Sequence, residues 1–195
     1  MTVDAEARIL DAAKLCCERW GLDKVNVDDI AAQARVSRAT LYRLFPGGKD
    51  VLFEALRVRE INEFFAVLAA EVEGIDNLED LLVAAVVAAT RELRADEHLA
   101  LMLASEPGET LSQLTVDGLP RIIRMANLTL TPMVATYLPQ AAAARLIDVL
   151  ARLTISYFLA PSTDIDLGDE TSARQFLRPV IAVLVPISPA LADSN

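Results

Sequence analysis

Between Ile30 and Lys49 the chain has no aspartate or glutamate, while Arg35, Arg38, Arg43 and Lys49 supply four positive charges. The stretch VSRATLYR inside this window adds the hydroxyls of Ser37, Thr40 and Tyr42. Guanidinium groups pair bidentately with guanine edges, and hydroxyls and ammonium groups reach phosphate oxygens. A carboxylate in the same place would repel phosphate where counterion release favours approach. These residue types can therefore bind a nucleic acid; none of them forms a nucleophile–base pair. The surroundings sharpen the contrast, since 28 acidic against 18 basic residues give the chain of 195 a formal charge of −10. Residues 1–60 hold 10 basic and 10 acidic groups, whereas residues 61–195 hold 8 and 18. An acidic body stays off polyanions and leaves binding to the basic stripe. A solvated basic face on an ordinary helical bundle would carry the same charges.

Other chemistry is scarce. His98 is the only histidine, and with no carboxylate or thiol cluster at ligand spacing it implies no metal site. An enzyme would have to use His98 with Glu97 or Glu106, without a cofactor loop. Cys16 and Cys17 are adjacent, which is poor disulfide geometry on a helix; they read as small apolar packing groups, with redox sensing as the alternative. Asp164, Asp166, Asp169 and Glu170 lack the ligand spacing and glycine turn of a calcium loop and read as a solvated loop. The longest apolar run, Leu81 to Ala89, falls far short of the ~20 residues needed to span a bilayer. The opening MTVDAEARILDAAK is acidic and amphipathic rather than a leader. A cytoplasmic protein without cofactor or metal is expected.

The elements that position the basic stripe are helical. Ile9, Ala13, Cys17 and Trp20 share one face of a first helix over about 4–20, with Gly21 just past its end. Asn26, three residues before Asp29, caps a second helix over about 27–34. Ser37 caps a third over about 38–44, which turns Val36 and Leu41 inward and Arg38, Ala39, Tyr42 and Arg43 outward. Helices this short do not persist alone, so they must pack on the first, and a turn of three or four residues between them makes a helix-turn-helix. PGGKD ends the third helix and starts a long fourth one over about 50–73.

The rest is helical as well. Asp76 caps a helix over 77–94, Asp96 opens one to about Ser105, and EPGET breaks the chain. A helix over 119–138 is kinked or divided by Pro132. Helices over 140–159 and 170–185 follow, with Pro179 inside the last. No sustained alternation suggests a strand, so the fold class is all-α.

The segment ILDAAKLCCERWGLDKVNVDDIAAQARVSRATLYRLFPGGKDVLFEAL, residues 9–56, resembles the TetR family of bacterial transcriptional repressors. The resemblance implies a DNA-binding domain over 1–49 and an effector-binding, dimerising helical domain over 50–195, linked by helix 50–73. It places Tyr42 and Lys49 at backbone-contacting positions. Arg38, Ala39, Thr40 and Arg43 fall where the family meets bases or nearby phosphates, and Asn26 falls at a phosphate-contacting helix start. Ser37 and Arg35 complete the DNA-binding set. Three departures stand out. Arg35 replaces a common turn glycine, FPGGKD has one residue more than the usual connection, and Cys17 stands where a large aromatic is frequent.

In the body the family places a ligand pocket, for which Phe64, Phe65, Leu68, Met102, Leu103, Met125, Leu128 and Tyr157 offer surfaces suited to an apolar molecule. The resemblance also implies a homodimer through the last two long helices. Their stripes are Ile147, Leu150, Thr154, Ile155 and Phe158, and Phe176, Leu177, Val180, Ile181 and Leu184. The partners implied are double-stranded operator DNA, a small-molecule effector and a second copy, with no membrane. An interaction module that has lost DNA binding is the remaining alternative.

Overall fold

The structure, a computed structural model, describes residues 2–105, 107–116 and 118–185. Among them all regular structure is helical. Toward the N-terminus α1 spans Thr2–Trp20, α2 Val27–Gln33 and α3 Arg38–Leu44, and α4 runs Lys49–Val72. A one-turn 3-10 helix, Leu22–Lys24, joins α1 to α2. Next come α5 Leu78–Ala95, α6 Glu97–Ser105, α7 Pro107–Thr115 and α8 Leu119–Val134. The last two are α9 Gln140–Leu159 and α10 Glu170–Leu184. The chain forms two compact units. One holds the residues up to Glu63 together with Glu97–Thr110; the other holds Phe64–Asp96 and the chain from Leu111 onward.

The first unit has its own core. Ile9, Ala13, Cys16 and Cys17 of α1 pack with Ile30 and Ala31 of α2, Leu41 of α3, Phe45, and Leu52 and Leu56 of α4. Both cysteines are buried, and burial pushes the Cys16 thiol above its ordinary value, with Asp29 adding to the shift. A raised thiol is a poor nucleophile, which favours the packing role. Trp20, expected on the inner face, is 40 % exposed with the Arg19 guanidinium 5.3 Å from its ring centroid. It sits at the last position of α1, where Gly21 at φ 81 redirects the chain.

In the second unit α5 is central. The apolar run noted in the sequence leaves Leu81, Leu82, Val83, Ala85, Val86, Val87 and Ala89 all buried, as an almost uniformly apolar helix requires. It packs against α9 and α10, and α9 in turn packs against α8. The α5 cap is Asn77, whose side chain accepts from the Asp80 N–H at 3.1 Å, not Asp76. The described part of α6 ends at Ser105, and Pro107, within EPGET, opens α7 as a first-turn proline with no N–H to satisfy. Beyond Pro132, α8 continues only to Val134.

The acidic loop after α9 is exposed at Asp164, Asp166, Asp169 and Glu170, as expected, and is also pinned by hydrogen bonds. Asp169 caps α10 by accepting from the Ser172 N–H at 2.9 Å, and Leu167 is buried. Asp166 accepts from the Gly168 N–H at 2.8 Å and from Arg94 at 2.7 Å. These bonds, Gly168 first, hold the Asp166 carboxyl below its ordinary 3.8. Arg174 bridges Asp80, Glu79 and Glu170, and Arg178 donates to Glu79 at 2.9 Å, so α10 is tied to the first turn of α5. Arg178 chiefly, then Arg174, lowers Glu79 as well.

A carboxyl depressed in the folded state stabilises fully above its unfolded value and loses that contribution as pH falls through the folded one. Asp166→Ala should therefore melt below the parent at neutral pH. The gap should shrink progressively once the pH drops under the ordinary 3.8 of an aspartate. Paired thermal melts across the acid range measure it.

Candidate nucleic-acid interface

The basic stripe begins in the turn between α2 and α3. The Val36 N–H donates to Ala31 O at 3.0 Å and the Arg35 N–H to Ala32 O at 3.1 Å, with Arg35 at φ 54. This double bond closes a helix whose next residue turns left-handed, a place glycine fills without cost. For arginine the conformation costs about 1 kcal/mol or more. The Arg35 side chain is exposed and makes no hydrogen bond or ion pair with another described residue.

Local capping then sets α3. Asn26 Oδ1 accepts from the Asp29 N–H at 2.9 Å, and Ser37 Oγ accepts from the Thr40 N–H at 3.0 Å. Ser37 Oγ also lies 2.9 Å from Thr40 Oγ1, so these two hydroxyls hold each other. Leu41 is completely buried, which fixes the rotation of the helix. Arg38, Ala39, Tyr42 and Arg43 consequently lie exposed along one face, as the sequence predicts. The Arg43 side chain makes no hydrogen bond or ion pair with another described residue. Arg38 donates from Nη1 to Asp28 Oδ2 at 3.0 Å and sits 5.5 Å from the Tyr42 ring centroid.

Asp28 is the residue that sequence reasoning passed over. It lies outside the carboxylate-free window and ten positions from Arg38, so only the turn brings it to this face. Lys49 also differs from expectation in its surroundings. Its Nζ donates to Leu22 O at 2.6 Å and lies 5.8 Å from the Phe53 ring centroid. The ammonium thereby ties the Pro46-Gly47-Gly48 turn to the 3-10 connection. Gly48, at φ 68, packs under Tyr42, where an added Cβ would come within 3.3 Å of the ring. Both glycines of this turn adopt positive φ, Gly47 at 155 and Gly48 at 68.

Residues 9–56 match the family described as bacterial regulatory proteins, tetR family. The head is that of the TetR family of transcriptional regulators. The chain is 29 % identical over 132 residues to an uncharacterized HTH-type transcriptional regulator of Mycobacterium bovis, covering 64 % of this chain and 67 % of that protein. It shares its fold with the TetR family repressor AlkX from a Dietzia strain, implicated in biodegradation of n-alkanes. That structure has a TM-score of 0.67 and 20 % identity, over 92 % of this chain and 94 % of that one. The fatty acid degradation regulator FadR from Bacillus halodurans matches with a TM-score of 0.54 and 19 % identity, over 92 % and 94 %.

The body residues fall as follows. Phe65 and Leu68 are buried, Phe64 and Met125 are half-buried, and Leu128 is 64 % exposed. The rings of Phe64 and Phe65 meet edge to face at 5.2 Å, and Tyr157 meets Phe176 at 5.3 Å. Met102 and Leu103, half-buried on α6, belong to the first unit and the others to the second. Of the two stripes, Ile147, Leu150, Thr154, Ile155, Leu177 and Ile181 are buried within a single chain. Phe158, Phe176, Val180 and Leu184 stay half-open. The His98 side chain and Glu106, the residues of the enzyme alternative, lie outside the described residues, as does the tail from 186. Among the described residues no group of three or more His, Cys, Asp or Glu could hold a metal, and no helix is long and apolar enough to cross a membrane.

Two outcomes follow from this geometry. Arg35→Gly should raise stability by about 0.5–1 kcal/mol while weakening DNA binding and reducing the salt slope by about one, a pairing read from melts and salt titrations. Lys49→Met should lower the melting temperature and leave the salt slope near the parent's, whereas Arg43→Ala should do the reverse. A Lys49 variant that melts like the parent and loses about one unit of slope would place the ammonium on phosphate instead.

Proposed function

We propose that this regulator is a cytoplasmic, homodimeric repressor. It would hold a near-palindromic operator until a small apolar molecule binds its helical body. The observation that carries the DNA reading is the exposed face of α3, where Arg38, Tyr42 and Arg43 project beside Arg35, whose side chain has no partner among the described residues. Nothing on that face is arranged to react; it is arranged to bind. An α-helix fits the major groove, and Asn26, Ser37 and Thr40 lie at helix starts where phosphate contacts position a head.

A single seven-residue helix makes too few contacts for tight specific binding, which favours two heads in successive major grooves about 34–36 Å apart. The half-open Phe158, Val180 and Leu184, with Val183 at 83 % exposure, support a second copy seated on α9 and α10. The effector would act by preferring a dimer whose heads no longer match the groove spacing. Its apolar character is supported by Phe64, Phe65, Leu68, Met125 and Tyr157. Alkanes and fatty acids, the chemistries named for two proteins of the same fold, head the screen.

Binding to a randomised duplex DNA pool should enrich a two-fold site and weaken steeply between 50 and 200 mM salt; no binding to any duplex at low salt overturns the reading. Val183→Glu, at a position open in the single chain, should leave the melting temperature within a few degrees. It should convert dimer to monomer by light scattering and lower operator affinity at least tenfold.

A further inference from the structure

We propose that Asp28 is a specificity-determining positioning residue: it holds the Arg38 guanidinium in the orientation that reads a guanine. The inference rests on the DNA reading above and deepens it. Asp28 lies in the first turn of α2 and Arg38 is the first residue of α3, the end of a recognition helix that meets base edges. Their side chains are 63 % and 62 % exposed and joined by one bond, Nη1 to Oδ2 at 3.0 Å. An ion pair this open adds little to folding stability. Yet it places a carboxylate on a face otherwise cleared of them from Ile30 to Lys49.

Orientation gives that carboxylate a purpose. An unrestrained arginine loses rotamer freedom when it binds, and fixing it beforehand removes that cost from association. The bond to Asp28 occupies one of five guanidinium N–H donors. Tyr42, with its ring centroid 5.5 Å from Arg38 Cζ, is a second neighbour that restrains the group. The donors engaged by neither Asp28 nor Tyr42 stay available for guanine O6 and N7. The same negative charge discourages Arg38 from settling on a phosphate, because Asp28 would approach the backbone with it. Arg35 and Arg43 have no such companion among the described residues and are left to the phosphates. The window from Ile30 to Lys49 thus divides its arginines by their neighbours, one held for a base and two for the backbone.

The test selects binding sites from a randomised duplex pool with the full-length parent, Asp28→Ala, Asp28→Asn, Arg38→Ala and the double variant Asp28→Ala/Arg38→Ala. Asp28→Ala should keep the parent's melting behaviour and site spacing but lose guanine preference at one position in each half-site, with discrimination falling about tenfold. Asp28→Asn, which keeps an acceptor oxygen, should fall between. The double variant should match Arg38→Ala, since both act through one contact. Affinity for unrelated duplex should stay level or rise in Asp28→Ala. Unchanged base preference in Asp28→Ala, or a uniform loss across all sequences, overturns the proposal while leaving the DNA reading intact. A parent that enriches no sequence overturns both.

Discussion

The burial of Leu41 and Ile30 against α1 is the constraint on which the head depends. α2 and α3 have seven residues each, far below the about 12–15 that a helix needs to persist alone in water. They exist because both side chains are fully buried with Ile9, Ala13 and Leu52. Burying one such side chain is worth about 1.5–3 kcal/mol, comparable to the cost of nucleating a short helix. The same contact fixes the rotation of α3, since with Leu41 inside, Arg38, Tyr42 and Arg43 can only face out. Stability and reading geometry therefore come from one packing decision.

Capping and turn chemistry then refine what the core has set. Asn26 and Ser37 start the two helices at defined residues, and the Arg35 turn sets the angle between them at a cost in backbone strain. On the far side, Gly48 lets the chain pass beneath Tyr42, and Lys49 pins the turn to Leu22. The positive charges of one short window thus acquire three fates. Arg35 and Arg43 are left unengaged by described residues, Arg38 is held by a carboxylate, and Lys49 is drawn into the head's own scaffold.

The second unit follows a different logic. α5 is covered by neighbours on nearly every side, so its apolar surface needs no second copy to satisfy it. Charge is confined to its ends, where Glu79 and Asp80 meet Arg174 and Arg178 of α10, and Arg91 and Arg94 secure the loop before it. Polar groups that enter the core bring their own partners, as Thr90 and Thr154 do by donating to the carbonyls of Val86 and Leu150.

Local rules made much of this legible in the residues. The all-α class, the caps at Asn26 and Ser37, the α9 span and the outward set of α3 depend on periodicity and hydrogen bonds within three or four residues, which a sequence displays directly. Proline at a first helical position and asparagine competing with aspartate for a cap are also local, and there the neighbouring residues support either outcome. Contacts between distant positions are of another kind. No spacing marks Asp28 as the companion of Arg38, Leu22 as the acceptor for Lys49, or Ile147 and Leu177 as covered within a single chain. An apolar stripe records that a face will be buried but not by what, and a charge records its sign but not its partner. Those assignments depend on how helices pack, so only the tertiary structure decided which arginines remain open to DNA.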